Sequence, residues 1–111
     1  MSGIGTENLR EILEEVFAPK SAYNSSTGAA LTVALDTGPY GRTVAHVWVR
    51  SSAAATFEVK VSRDGTNWRL IDSISLTAAG EANRDYSLAY QHIQVSTAAA
   101  NDNEIEISAS R

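Results

Sequence analysis

The chain has 111 residues, a formal net charge of −4 and no cysteine. That length suits one domain with a core of its own, and the lack of cysteine excludes a disulfide framework and thiolate metal sites. Lysines and arginines are scattered, so there is no basic patch for nucleic acid or for an acidic membrane surface, and no apolar run approaches the roughly 18 residues of a spanning helix.

The first element is a helix. Leu9, Ile12, Leu13, Val16 and Phe17 recur at helical spacing and form one apolar stripe. Thr6 is the candidate N-cap, Glu7 places negative charge at the positive end of the dipole, and Pro19 stops the helix. About three turns of helix are marginal alone in water, so the stripe must dock, either on its own domain or on a partner. Asn24 to Gly28 reads as a flexible flank, which divides the chain into an N-terminal arm (1–28) and a β-sandwich domain (29–111). The N-terminus lacks the basic-then-apolar order of a secretory signal, and assembly in the cytoplasm is the expectation.

From Ala29 onward the period is two. Leu31, Val33 and Leu35 mark one strand. In the next, Ala45, Val47 and Val49 take one face, while Val44, His46, Trp48 and Arg50 take the other. Phe57, Val59 and Val61 alternate with Glu58, Lys60 and Ser62. A tight Asp64-Gly65 turn follows, and Trp68 opens a strand running to Leu76, with a bulge expected near Asp72 and Ser73. Tyr86 with Leu88, Ile93 with Val95, and Ile105, Ile107 and Ala109 mark the last three strands. About seven strands with polar turns between them predict an all-β fold: an antiparallel, jelly-roll-like β-sandwich behind a short amphipathic helix.

Residues with chemical potential are sparse. His46 and His92 lack a second ligand at metal spacing, and no serine lies in a nucleophile elbow. Glu58, Glu104 and Glu106 fall on wet strand faces. Asp64, Asp72, Asp85 and Asp102 offer oxygens for calcium, the turn from Asn101 to Asn103 most of all, and turn-forming side-chain bonds explain them equally. Trp48, Trp68, Tyr40, Tyr86 and Tyr90 form a sugar platform if several are exposed together, and core otherwise. Asp64, Gly65 and Trp68 read as framework: a register-setting turn and an indole that anchors one sheet on the other. No catalytic residue, metal or cofactor is expected.

Val59 to Trp68, then Tyr90-Gln-His-Ile-Gln-Val95, resembles two elements of discoidin-like, galactose-binding-type jelly rolls, with Gln91 and Gln94 where that pattern has Arg and His92 where it has Tyr. The same hairpin and the final Ile105-Glu-Ile-Ser-Ala109 strand are also similar to small virion proteins of tailed phages and archaeal viruses, among them head decoration (cement) proteins. That second resemblance implies a non-enzymatic protein on the outer capsid surface. Its implied partners are the major capsid protein and copies of itself, as trimers at symmetry axes. Leu9, Ile12, Leu13, Val16 and Phe17 are the expected partner-binding residues. A carbohydrate-binding module and a tail or baseplate subunit are the alternatives.

Overall fold

The structure, a computed structural model, describes residues 20–38, 44–87 and 90–110. Eight strands follow one another: β1 (Lys20–Ser26), β2 (Leu31–Asp36), β3 (Val44–Ser51), β4 (Ala55–Ser62), β5 (Arg69–Leu76), β6 (Gly80–Ser87), β7 (His92–Thr97) and β8 (Asn103–Ser110). They form two four-stranded sheets, in the orders β1-β8-β3-β6 and β2-β7-β4-β5. Every pairing is antiparallel. The pairs β4–β5, β3–β6, β2–β7 and β1–β8 nest about the middle of the chain, so the molecule is one long hairpin rolled into an eight-stranded jelly roll.

Alternation explains the two layers. Ala45, Val47 and Val49 of β3 and Ile105, Ile107 and Ala109 of β8 are buried from one sheet. Leu31, Val33, Leu35, Phe57, Val59, Val61, Ile93 and Val95 meet them from the other. Burying each of the larger side chains stabilises the fold by about 1.5–3 kcal/mol relative to exposure. Phe57 is the largest fully buried side chain.

Three expectations change. The sheet takes in Lys20–Ser26, so the sandwich begins at Lys20 rather than Ala29. This strand carries almost no apolar alternation. It is an edge strand, held by its backbone ladder to β8 and by Ala22 opposite Ile107. Next, β6 starts at Gly80, inside a stretch that reads as a loop, and turns inward only with Ala82 and Tyr86. The bulge is displaced slightly: Val59 faces Asp72 and Lys60 faces Leu70, which leaves Ile71 as the extra residue. The amphipathic helix expected over the N-terminal segment lies outside the described residues, as do Tyr40 and Leu88.

One polar tie closes the sandwich along its β5/β6 side. The Tyr86 hydroxyl donates to Asp72 Oδ2 at 2.7 Å, joining the edge strand of one sheet to that of the other. That bond holds the Asp72 carboxyl below the usual carboxylate range, and burial with the same bond pushes the Tyr86 phenol up.

Candidate functional site

Three places gather polar or aromatic side chains. The first is the β4–β5 turn. Ser62 Oγ donates to Asp64 Oδ1, and the same oxygen accepts from the Thr66 and Asn67 backbone N–H groups at 2.8 and 2.9 Å. Asn67 Nδ2 donates to Asp64 Oδ2 at 2.8 Å. These donors, the Asn67 backbone N–H foremost, hold the Asp64 carboxyl far below its ordinary value. A group whose folded pKa is depressed stabilises the fold above its unfolded pKa and loses that contribution as pH falls through the folded value. Asp64→Ala should therefore lower Tm at neutral pH, and the gap to the parent should shrink as pH is taken below about 4. Thermal melts of both proteins across that range check it.

Gly65 sits at φ +77°, and a Cβ there would meet His92 Cε1 at 3.3 Å. Gly65→Val combines left-handed strain with crowding of the imidazole, and should cost about 1–3 kcal/mol by urea denaturation. The half-buried Trp68 indole lies edge-on to His92, 6.4 Å between centroids, and β5 and β7 belong to the same sheet. Trp68 stands just ahead of β5. Beside it Arg63 lies over the Tyr90 ring at 5.4 Å, and a shallow cleft of about 250 Å³ opens between Arg63, Asp64, Asn67 and Tyr90.

The second place is the opposite end of β4. The side chain of Asn103 is completely buried. Its Nδ2 donates to the carbonyls of Ala29 and Ala99, each at 2.9 Å, and more distantly to Asn101 O and Ser26 Oγ. Its Oδ1 accepts from Ser51 Oγ at 2.8 Å. Asn101 Nδ2 reaches Ser51 Oγ and Ala54 O, and Asp102 accepts from the Gly28 backbone N–H. One amide thus ties together the β1–β2, β3–β4 and β7–β8 connections. Of the turn oxygens that suggested calcium, Asn103 Oδ1, Asp102 Oδ1 and the Asn101 carbonyl are engaged in this tie. Among the described residues no group of three or more His, Asp or Glu side chains could hold a metal ion. A hydroxyl-rich cleft of about 580 Å³ lies over it, lined by Ser25, Arg50, Ser52, Asp102 and Glu104 among others.

The third is the outward face of the β1-β8-β3-β6 sheet. Register places Tyr23, Glu106, Trp48 and Asn83 in one row across all four strands. The next row holds Ser25, Glu104, Arg50 and Glu81, and the row on the other side holds Ser21, Ser108, His46 and Asp85. Tyr23 is 54% exposed and its hydroxyl donates to Glu104 Oε1 at 2.7 Å. Glu104 also lies 3.6 Å from Arg50, and His46 Nδ1 pairs with Asp85 at 2.5 Å. Trp48 is half-buried among these groups. Among the described residues neither imidazole is hydrogen-bonded to a serine or threonine hydroxyl. The alternation of β3 already placed Trp48 on the face opposite Ala45, Val47 and Val49. Its row partners Tyr23 and Asn83 escaped the sequence because β1 and β6 carry no readable pattern. The expected partner-binding residues Leu9, Ile12, Leu13, Val16 and Phe17 lie outside the described residues.

No protein family and no curated protein matches the chain. Solved structures do match its fold. The PBSX exported protein XepA aligns with a TM-score of 0.64 at 10% identity, covering 86% of this chain, which spans 38% of XepA. The SPBc2 prophage-derived protein YomS aligns at 0.62 and 9% identity, over 86% of this chain and 97% of YomS. A chitosan-binding module from a chitosanase/glucanase of Paenibacillus sp. IK-5 aligns at 0.53 and 15% identity, over 84% and 96%. At such identities the likeness is one of fold, and that fold is common to phage-derived proteins and a carbohydrate-binding module.

Proposed function

We propose that this chain is a non-enzymatic virion structural protein, a decoration protein that binds the outside of a phage head and stabilises it. The observation that carries this reading is the alignment of the jelly roll with the prophage-derived YomS over 86% of this chain and 97% of YomS. The core is packed between two sheets, and among the described residues no group of three or more His, Asp or Glu side chains could hold a metal ion. The segment ahead of Lys20 leaves from an edge strand, where its apolar residues Leu9, Ile12, Leu13, Val16 and Phe17 reach the major capsid protein or a second copy. Copies grouped as trimers would each make modest contacts that add through high effective concentration. Cosedimentation with heads lacking this protein tests the reading. The full chain should pellet with heads, and a Leu13→Asp, Phe17→Asp variant should stay in the supernatant. Absence of the full chain from the pellet overturns decoration, and unchanged pelleting of the variant overturns the role of the arm.

A second reading, carbohydrate binding, is favoured by a different observation. Trp48 and Trp68 are both partly exposed, and Tyr23 stands in the same row as Trp48. The shared fold of the Paenibacillus chitosan-binding module is in keeping with it. Hits on a glycan array would support this reading, and a blank array would remove it.

A further inference from the structure

We propose that the outward face of the β1-β8-β3-β6 sheet binds a cationic amino-sugar chain, with Trp48 and Tyr23 as stacking rings and the Glu106 carboxylate between them as counter-charge. The inference rests on the carbohydrate reading and gives it a place and a ligand class.

Geometry sets the length of the ligand. Glu106 is the register partner of both Tyr23 and Trp48, so the two rings flank it on neighbouring strands. Two strand spacings separate the Tyr23 and Trp48 backbones by about 10 Å. A single sugar ring does not reach both, and an oligomer crossing the strands does. The Tyr23 ring is held in place before any ligand arrives, because its hydroxyl is bonded to Glu104. Asn83 ends the row and supplies both a donor and an acceptor for ring hydroxyls.

Charge sets the class of the ligand. Glu81, Asp85, Glu104 and Glu106 share this face with one guanidinium, Arg50. Arg50 is taken up by Glu104, and His46 by Asp85. Glu106 is exposed and has no ion pair among the described residues. A carboxylate between two aromatic faces matches an ammonium group carried on a sugar. The ammonium pairs with the carboxylate and is also attracted to the negative face of the indole. A neutral glycan gains only the stacking. A basic peptide would gain the charge, but this outward face, lined by Ser, Glu, Asn and Arg around the two rings, gives it no apolar pockets for alternate side chains.

Calorimetric titration of the full chain with a glucosamine hexamer, its fully N-acetylated counterpart and poly-lysine tests the proposal. The glucosamine hexamer should bind at least about tenfold more tightly than the acetylated one. Glu106→Gln should abolish that preference. Tyr23→Ala and Trp48→Ala should each weaken glucosamine binding about tenfold, with Tm recorded for each variant; Tyr23, being exposed, is the substitution that leaves the core untouched. Glycan binding that none of the three substitutions alters overturns this site and leaves the carbohydrate reading standing. Binding of neither hexamer overturns both. Poly-lysine binding as tightly as glucosamine, with the aromatic variants unaffected, also overturns the proposal, because the face would then be selecting charge alone.

Discussion

Asn103→Asp is expected to destabilise the fold by at least about 3 kcal/mol at pH 7, and by distinctly less in mild acid. The amide sits fully buried with carbonyl oxygens of Ala29, Ala99 and Asn101 around its Nδ2. A carboxylate oxygen in that position faces those carbonyls with no proton to give. Burial and the surrounding acceptors would raise the introduced carboxyl above the usual carboxylate value of about 3.9. Its neutral form, which can donate once, therefore prevails at low pH, and the penalty grows as pH rises through the unfolded value toward the folded one. Urea denaturation at pH 4 and pH 7 measures the difference. Equal destabilisation at both would show that the amide matters by shape and not as a donor.

Phe57→Ala should be the most damaging apolar truncation, at about 3–5 kcal/mol. The ring belongs to a central strand and is completely enclosed between the sheets. Its neighbours Val59 and Ile74 are branched and rigid at χ1 and cannot close over the void. In a domain of this size each kcal/mol lowers Tm by about 4–8 °C, so a calorimetric scan resolves the effect easily. Phe57→Leu, which keeps most of the volume, should recover more than half of the loss.

Legibility in the sequence followed how much of each strand's face is buried. The strands β2, β3, β4, β7 and β8 pack one full face into the core, so their apolar residues recur at every second position and are visible in the chain. The edges β1 and β6 bury little, and Lys20–Ser26 and Gly80–Ser87 look like polar connections until the ladders to β8 and β3 are drawn. The candidate site inherits that gap. Alternation alone put Trp48 on the face opposite Ala45, Val47 and Val49, whereas Tyr23 and Asn83 reach its row only through the register of the two unreadable strands. Asn103 was legible in principle. It shares the face of Ile105, Ile107 and Ala109, and an amide on a buried face needs partners. Placed in a turn from Asn101 to Asn103, it looked like a local cap.

The nested order of pairing has a consequence for how the chain can be cut and rejoined. Of the strands paired by a ladder, only β4 and β5 are consecutive in sequence; each pair outward from them closes a longer stretch of chain, and Lys20 ends up across the ladder from Ala109. High mean sequence separation slows folding, because the entropy of closing long loops is lost before their contacts form. A circular permutant that links Ala109 to Lys20 through a short connector and opens at Asp64-Gly65 would keep every register. It would exchange the most local pair for the most distant one, making β8–β1 the new central hairpin. Compared with the parent, such a permutant would show whether the Asp64-Gly65 turn directs the order of folding or only completes its geometry.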